Sequence, residues 1–363
     1  MSPASPQPTL LLAPEIFTPG GIPRILQLYL KSLCEHASAT GGTVRLVALN
    51  NTRFDPSDLA RYATPALTEH LACAGHKTRF VRGVLSLSRD CRHLVCGHVA
   101  QLPVAWAAQK IRRGLTYSLV AHGIEVWREF SLAERLALRG ASRIFCVSQF
   151  TRSELLARCP LPPERLVVLP NALDPFFAIG PGEPLAQCPP TILCVTRLTS
   201  ADSYKGVDHL IAAMPAVRAA IPAATLRVIG SGDDRARLQA LAGQNDGLGA
   251  GIAFPGYLDD RQLSAEMRRC RLFALPSEKE GFGLVFLEAM AHGRPCVGVT
   301  AGGIPEVVTA KTGVLAQYGD VPALAAACIA ALHHRWDETA ILARASEFSY
   351  ERFNHRLQAF LAG

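Results

Sequence analysis

Short apolar runs alternate with stretches of helical periodicity along most of this chain. The apolar runs fall into two series. The first series comprises residues 9–13, 44–49, 93–96, 118–121, 143–147 and 166–169, and the second comprises 191–195, 225–229, 252–255, 272–275 and 296–299. Alternation of this kind is typical of parallel sheets covered by helices on both faces. The pattern therefore predicts an α/β protein in which such a unit occurs twice.

The break between the two series predicts where the domains divide. Residues 174–190 contain five prolines and no apolar periodicity, which is typical of a linker. A length of 363 residues also favours two domains over one. We predict an N-terminal domain over 1–173, a linker over 174–190, a C-terminal domain over 191–345 and a final helix within 346–363. The aromatic and apolar residues of that helix are spaced to form one face: Tyr350, Phe353, Leu357 and Phe360.

Two carboxylates flank the most informative glycine turn in the chain. Glu280 and Glu288 stand eight positions apart, and a Gly-Phe-Gly turn leads from the first into an apolar run. The pattern predicts a helix that begins near Phe282 or Gly283, with Glu288 about two turns inside. Glycines let a backbone approach a ligand, and a helix N-terminus attracts anions. A sugar nucleotide suits this arrangement, and a capped surface helix with two solvated glutamates is the structural alternative.

Residues 280–288 resemble the E-x7-E signature of retaining glycosyltransferases of family 4, which have the GT-B fold. Further segments are similar to family elements in the same order along the chain. They are Pro19-Gly20-Gly21-Ile22, Ala121-His122-Gly123-Ile124-Glu125, Val147-Ser148, Asn171-Ala172-Leu173-Asp174, Arg197, Lys205-Gly206, Gly230-Ser231-Gly232 and Gly302-Gly303-Ile304-Pro305-Glu306. The resemblance implies two Rossmann-like domains that face each other across a cleft, with the last helix crossing back to the first domain.

The resemblance also implies an activity. It is a metal-independent, retaining transfer of a hexose-type sugar from a nucleotide diphosphate sugar to a hydroxyl of a glycan, a lipid-linked acceptor or a small molecule. Surface polysaccharide or glycolipid synthesis is the implied setting, and no cofactor is needed beyond the nucleotide sugar. A nucleotide-sugar epimerase of the same architecture and a binding-only paralogue are the alternatives. The nucleotide base, the sugar and the acceptor stay open.

The resemblance assigns the following site residues. The implied catalytic residues are His122, Arg197, Lys205 and Glu280. The implied donor-binding residues are Gly20, Gly21, Gly281, Phe282, Gly283, Leu284 and Glu288, and the implied acceptor or sugar contacts are Glu125, Gly302 and Gly303. Glu280 is expected to bind hydroxyls of the donor sugar, and Glu288 those of the ribose. Arg197 and Lys205 are expected to neutralise the diphosphate. Seven residues separate these two cations, more than in many family members.

The cysteines and histidines do not predict a metal site. Eleven cysteines are scattered through apolar segments without a C-x-x-C pair, which is typical of buried thiols in a reducing cytoplasm. Cys91, His93, Cys96 and His98 form the densest group, but an alternating strand would divide these four side chains between its two faces. No Asp-x-Asp pair is placed to hold a metal on a diphosphate. We therefore expect no metal.

The excess of positive over negative charge is confined to the first half of the chain. The net charge is +7, and residues 1–180 hold 20 Lys and Arg against 12 Asp and Glu. Cations and apolar residues interleave over 76–92 and 110–113, which favours an anionic membrane surface over an ordinary solvated face. No recognition motif for nucleic acid accompanies the charge. With no apolar run of membrane-span length, we expect a cytoplasmic protein, peripheral at the inner face of the plasma membrane.

Overall fold

The computed structural model describes residues 7–244 and 251–361. The chain forms two compact units. The N-terminal unit extends to Asp174 and includes the chain from Tyr350 onward, and the C-terminal unit comprises Pro175–Ser349. Each unit contains one sheet whose strands all run parallel, so each is described on its own.

Seven described strands form the sheet of the N-terminal unit. They are β1 (Thr9–Ala13), β2 (Val44–Ala48), β3 (Leu67–Ala72), β4 (His93–Cys96), β5 (Thr116–Ala121), β6 (Arg143–Cys146) and β7 (Leu166–Val168). Their order across the sheet is β3-β2-β1-β4-β5-β6-β7. The chain thus winds outward from β1 in one direction, then crosses to β4 and winds in the other. This doubly wound order places a ligand-binding switch point between β1 and β4.

Six described strands form the sheet of the C-terminal unit and repeat the same winding. They are β8 (Thr191–Val195), β9 (Thr225–Ile229), β10 (Ile252–Gly256), β11 (Leu272–Ala274), β12 (Cys296–Val299) and β13 (Gly313–Ala316). Their order is β10-β9-β8-β11-β12-β13. The switch point of this unit lies between β8 and β11. The two-fold repetition of a parallel α/β unit confirms the fold predicted from the sequence.

The apolar runs predicted every strand except β3 and β13, which both lie at sheet edges. In β3 the three central residues, Thr68, Glu69 and His70, are exposed, because an edge strand is covered less than a central one. Strand β13 has only four residues and begins with a glycine. Strand β3 therefore lacks the continuous apolar run that marks a buried parallel strand, whereas β13 is apolar throughout and its sequence, Gly-Val-Leu-Ala, could have indicated a strand.

Helices pack on the sheets of both units. In the N-terminal unit they are α1 (Gly21–Thr40), α2 (Pro56–Tyr62), α3 (Lys77–Leu87), α4 (Leu102–Ile111), α5 (Leu132–Gly140), α6 (Gln149–Arg158) and α14 (Tyr350–Leu361). In the C-terminal unit they are α7 (Val207–Ala220), α8 (Arg235–Gln244), α9 (Asp260–Arg269), α10 (Leu284–Met290), α11 (Ile304–Val307), α12 (Val321–His333) and α13 (Glu338–Ser346). Side-chain caps fix several starts. Ser148 accepts the Thr151 N–H at 3.0 Å and begins α6, as expected of a scaffold residue.

The last helix packs on the N-terminal unit, as predicted. Phe353 of α14 meets Tyr29 of α1 edge to face, with ring centroids 5.3 Å apart. Beside this apolar contact, Asn354 accepts a hydrogen bond from Ser32 at 2.6 Å, and Tyr350 donates one to Glu35 at 2.8 Å. These hydrogen bonds fix the register of α14 on α1, because a shift of the helix would leave buried polar groups unpaired and lower the stability of the fold.

Candidate active site

Several of the predicted site residues of the C-terminal unit lie at the carboxyl edge of its sheet. Strands β8, β11 and β12 end next to one another, and the loops that follow them carry Arg197, Glu280 and Gly302. Loops at this edge, beside the switch point, are where ligands bind in open parallel sheets. The topology therefore brings together residues that are about a hundred positions apart in the sequence.

Lys205 and Glu280 form the closest ion pair of this edge. Lys205 Nζ lies 2.6 Å from Glu280 Oε2, and the two side chains are only 15% and 18% exposed. Partial burial strengthens such a charge-assisted hydrogen bond relative to an exposed one. The Glu280 carboxylate is thus held beside the Lys205 ammonium group, and the two opposite charges lie together at this edge of the sheet.

The glycine pair at 302–303 holds the Glu280 loop from the β12 side. Gly303 donates its N–H to the Glu280 carbonyl at 2.7 Å. A Cβ added to Gly302 would lie 2.3 Å from that carbonyl oxygen, and one added to Gly303 would lie 2.4 Å from the carbonyl oxygen of Gly281. Only glycine permits this approach of two backbones. The backbone N–H of Gly303 therefore supports the Glu280 loop, and the acceptor or sugar contact that the resemblance implies for Gly303 stays a prediction.

Helix α10 begins later than the sequence predicted. Gly283 adopts φ +95° and caps the helix, so the first helical residue is Leu284 instead of Phe282 or Gly283. Glu288 accordingly lies about one turn inside the helix, not two, and it is buried. The Phe282 side chain packs against Phe348, with ring centroids 5.5 Å apart, and so belongs to the core of the unit.

Arg197 lies on the loop that follows β8. Its side chain is 72% exposed, and its guanidinium lies 3.1 Å from a carboxylate oxygen of Asp202, whose side chain is only 10% exposed. Residues Ser200–Lys205 form a 3₁₀ turn that brings Asp202 back toward Arg197. The structure thus gives each of the two predicted diphosphate cations a carboxylate partner, Glu280 for Lys205 and Asp202 for Arg197.

In the N-terminal unit, the glycine loop after β1 leads directly into a long helix. Gly20 is the N-cap of α1, and no side chain caps the first turn. The loop is fixed by Asn51, which accepts the Ile16 N–H at 2.9 Å and donates to the Ile16 carbonyl at 2.7 Å. The first N–H groups of a 20-residue helix, including that of Gly21, carry the positive end of its dipole.

His122 and Glu125 form a second polar cluster, at the carboxyl end of β5. His122 donates its backbone N–H to Glu125 at 2.5 Å, and its Nε2 lies 2.9 Å from the Gly97 carbonyl. Because a carbonyl only accepts, Nε2 must carry the proton, and Nδ1 keeps a lone pair. Burial lowers the pKa of His122 to about 4, so the ring is neutral at pH 7.

His98 belongs to this cluster and was not predicted as a site residue. It follows β4, its Nδ1 accepts the Ala100 N–H at 3.1 Å, and burial lowers its pKa while the nearby Glu125 raises it. Burial also raises the pKa of Glu125. The sequence signal was available, because Gly97-His98 follows a strand in the same way as His122. In the sequence, His98 had been considered only as part of a possible metal group with Cys91, His93 and Cys96.

The structure gives the other members of that cysteine–histidine group separate surroundings. The two ring nitrogens of His93 lie 2.7 Å from Thr116 Oγ1 and 2.9 Å from Ser118 Oγ. Among the described residues, no three His, Cys, Asp or Glu side chains are arranged to hold a metal ion. The eleven cysteines, all of them within the described ranges, are buried free thiols.

The cations of 76–92 and 110–113 lie on one surface of the N-terminal unit. Helix α3 buries Phe80 and exposes Lys77, Arg79 and Arg82, with no acidic residue in its first turn. Arg112 donates to the Ser88 carbonyl, which ties the end of α4 to the end of α3. We call eight of the exposed residues of this region the basic surface: Lys77, Arg79, Val81, Arg82, Arg89, Lys110, Ile111 and Arg113.

Two family models match the chain in succession. Residues 26–176 match Glycosyltransferase Family 4, and residues 189–334 match Glycosyl transferases group 1. These two spans contain His122, Arg197, Lys205, Glu280 and most of both sheets.

One curated relative is a mannosyltransferase of Corynebacterium glutamicum, which is described as GDP-mannose-dependent and acting on a monoacylated phosphatidylinositol monomannoside. It is 37% identical to this chain over 142 residues, which is 37% of this chain and 36% of the relative. A GDP-mannose-dependent alpha-(1-6)-phosphatidylinositol monomannoside mannosyltransferase of Mycolicibacterium smegmatis is 31% identical over 250 residues, 63% of this chain and 64% of the relative. The matched segments thus span roughly a third to just under two thirds of these proteins.

Among solved structures, the lipopolysaccharide outer core galactosyltransferase WaaB matches with a TM-score of 0.75 over 98% of this chain and 100% of that one, at 17% identity. Identity this low shows the fold alone. The fold is GT-B, built from two Rossmann-like sheets, as the sequence predicted. No described helix is long and apolar enough to cross a membrane.

Proposed function

We propose that this chain, a member of the family 4 glycosyltransferases, moves a hexose-type sugar, with retention of anomeric configuration, from a nucleotide diphosphate sugar to a hydroxyl acceptor. The observation that carries the proposal is the Lys205–Glu280 pair of 2.6 Å at the carboxyl edge of the C-terminal sheet, with Arg197 on a neighbouring loop. A cation and a carboxylate at one point suit a ligand that carries a phosphate next to sugar hydroxyls.

In this proposal Arg197 and Lys205 bind the diphosphate. Cleavage of the bond between the anomeric carbon and the phosphate oxygen leaves negative charge on the phosphate, and two cations stabilise that charge in the transition state. They also remove the need for a metal ion on the diphosphate. Glu280 then holds hydroxyls of the donor sugar, and Glu288, one turn inside α10, holds those of the ribose.

No enzyme nucleophile is needed in the proposed transfer. The leaving phosphate oxygen takes the acceptor proton while the acceptor hydroxyl attacks from the same face. His122, neutral at pH 7 with Nδ1 as an acceptor, orients a hydroxyl of the sugar and is not a general acid. The Glu125 carboxylate positions His122 by accepting a hydrogen bond from the backbone N–H of His122.

The relatives make GDP-mannose the first donor to test. Both mannosyltransferases described above are named as GDP-mannose-dependent, and their acceptors are glycosylated phosphatidylinositols. We propose a lipid-linked or glycan acceptor for this chain, in glycolipid or polysaccharide synthesis. The test is thermal stabilisation by GDP-, UDP- and ADP-sugars in the presence of EDTA, followed by transfer assays with the stabilising donor. Stabilisation by none of them, or only after a divalent metal is added, contradicts the proposal.

We further propose that the basic surface binds an anionic membrane. Its cations alternate along the chain with two exposed apolar residues, Val81 and Ile111, and Ile111 is 75% exposed. Each Lys or Arg close to an anionic bilayer contributes on the order of 1 kcal/mol, so six of them give reversible adhesion. Co-sedimentation with anionic vesicles is expected and should weaken as salt is raised, because screening shortens the electrostatic range.

A matched pair of variants tests the site of this adhesion. Arg79→Glu with Arg82→Glu alters the basic surface, whereas Arg261→Glu with Arg335→Glu places the same charge change on exposed residues of the C-terminal unit. Only the first pair should abolish binding to anionic vesicles. Equal binding to neutral vesicles, or equal loss in both pairs, contradicts a specific basic surface.

A further inference from the structure

The lengthened loop between Arg197 and Lys205 has a defined structure. The 3₁₀ turn Ser200–Lys205 is fixed to the loops on both sides of it. Ser200 donates its N–H at 3.1 Å and its hydroxyl at 2.6 Å to Asp233, which follows β9. On the β11 side, the N–H of Glu278 donates to the Tyr204 carbonyl at 2.8 Å. The added residues thus connect the loops after β9 and β11.

Asp202 is the polar centre of this loop. Its carboxylate accepts hydrogen bonds from Thr199 Oγ1 and from the Tyr204 hydroxyl, each at 2.8 Å, and it pairs with Arg197 at 3.1 Å. Burial and the hydrogen bond to Asp202 raise the pKa of Tyr204, so the phenol remains protonated and able to donate. Asp202 is therefore held by two neutral donors in addition to the guanidinium.

The two members of the Asp202–Arg197 pair differ in exposure. Asp202 is 10% exposed and bound by its own loop, whereas Arg197 is 72% exposed. Because the Arg197 side chain is largely in water, the pair is weak and the guanidinium can leave at small cost. If it does, Asp202 keeps its two hydroxyl donors and is not left as a buried carboxylate without partners.

We propose that Asp202 competes with the nucleotide diphosphate for Arg197 and so limits how tightly the nucleoside diphosphate product is held. This inference rests on the proposed function, because it takes Arg197 as a diphosphate ligand. Asp202 is then a positioning residue that acts through Arg197. Its negative charge lies beside the site of the phosphates, so it also repels them directly.

Two substitutions are expected to shift the affinity in opposite directions. Asp202→Asn keeps the size of the side chain and removes the charge that competes for Arg197, so the nucleoside diphosphate should bind about 3- to 10-fold tighter. Tyr204→Phe removes one hydroxyl donor and keeps the ring that lies 5.4 Å from Lys205 Nζ. Asp202 then depends more on Arg197, and the nucleoside diphosphate should bind about 2- to 5-fold more weakly.

Calorimetry with GDP, UDP and ADP at one fixed salt concentration tests the inference on the full chain. Asp233→Asn is the control, because Asp233 anchors the same loop through Ser200 and pairs with no cation in the described contacts. It should leave affinity unchanged or lower it. In transfer assays, product inhibition by the nucleoside diphosphate should strengthen in Asp202→Asn by the same factor as the affinity.

The outcomes separate the two proposals. If the unaltered protein binds no nucleoside diphosphate, the proposed function fails and the inference fails with it. If the unaltered protein binds but Asp202→Asn binds equally or more weakly, only the role of Asp202 is overturned. Tighter binding by Asp233→Asn to the same degree also overturns it, since the effect is then one of general charge. Circular dichroism melting of each variant establishes that it is folded.

Discussion

Loss of the Glu280 charge should change nucleotide binding and sugar transfer in opposite directions. Lys205 Nζ lies 2.6 Å from Glu280 Oε2. A diphosphate bound to Lys205 competes with that carboxylate, whereas a donor sugar depends on it. Glu280→Gln is therefore expected to bind the bare nucleoside diphosphate more tightly and to transfer sugar more slowly.

The size of the effect follows from the burial of the pair. Exposed ion pairs contribute up to about 1 kcal/mol, and breaking a fully buried pair costs about 3–5 kcal/mol. With side chains 15% and 18% exposed, the Lys205–Glu280 pair falls between these cases. Release of Lys205 at about 1–2 kcal/mol tightens nucleoside diphosphate binding by roughly 5- to 30-fold. Loss of an interaction with the transition state lowers kcat/KM by about 100-fold or more.

Calorimetry with the nucleoside diphosphate and initial-rate assays of transfer measure the two effects. Glu278→Gln is the matched control, because it removes the same charge from an exposed position two residues away. The control should change both quantities less than threefold. Weaker nucleotide binding in Glu280→Gln, or equal tightening in the control, refutes the reasoning about the ion pair.

Three further outcomes follow from the site and from the buried histidines. Arg197→Ala should lower kcat/KM at least about 100-fold, because a cation that stabilises the transition state is lost. The melting temperature should change little, because the side chain is 72% exposed. Turnover near that of the unaltered protein would show that Arg197 is not part of the site. Glu288→Gln should weaken nucleoside diphosphate binding about 10-fold by calorimetry, since it loses a charged acceptor for the ribose hydroxyls, and unchanged affinity counts against ribose recognition. Burial lowers the pKa values of His93, His122 and His292 from 6.5 to about 4. Between pH 4 and 6.5 the unfolded chain therefore binds more protons than the folded chain. The free energy of unfolding from urea denaturation should fall as the pH is lowered from 6.5 to 4, by about 1 kcal/mol per pH unit per histidine. A free energy of unfolding that does not change over this range contradicts the burial of these histidines in their neutral form.

The sequence predicted the parts of the fold that depend on buried periodicity. Central parallel strands such as β1 and β8 are continuous apolar runs because helices cover both faces. The edge strand β3 escaped prediction because polar residues interrupt its apolar run, and β13 escaped although its four residues are all apolar. The returning helix α14 was predicted because its buried residues, Tyr350, Phe353 and Leu357, recur at helical spacing.

The site was predictable only as far as its motifs. The resemblance implied Arg197, Lys205 and Glu280 as candidates, but no spacing rule shows that Lys205 and Glu280 are in contact. Contact between residues 75 positions apart depends on the sheet order, which brings β8 beside β11. The contact between Asp202 and Arg197 was likewise hidden, because the resemblance assigns no role to the residues between Arg197 and Lys205.

Release of nucleoside diphosphate, measured with and without a hydroxyl acceptor, tests the central claim most directly. The protein is incubated with the donor that stabilises it, and the released nucleoside diphosphate is quantified over time beside an Arg197→Ala control. The account predicts release that depends on the acceptor, equals the sugar transferred and is lost in the variant. Interconversion of the donor sugar without release, or release that is the same with and without acceptor, would contradict a glycosyltransferase.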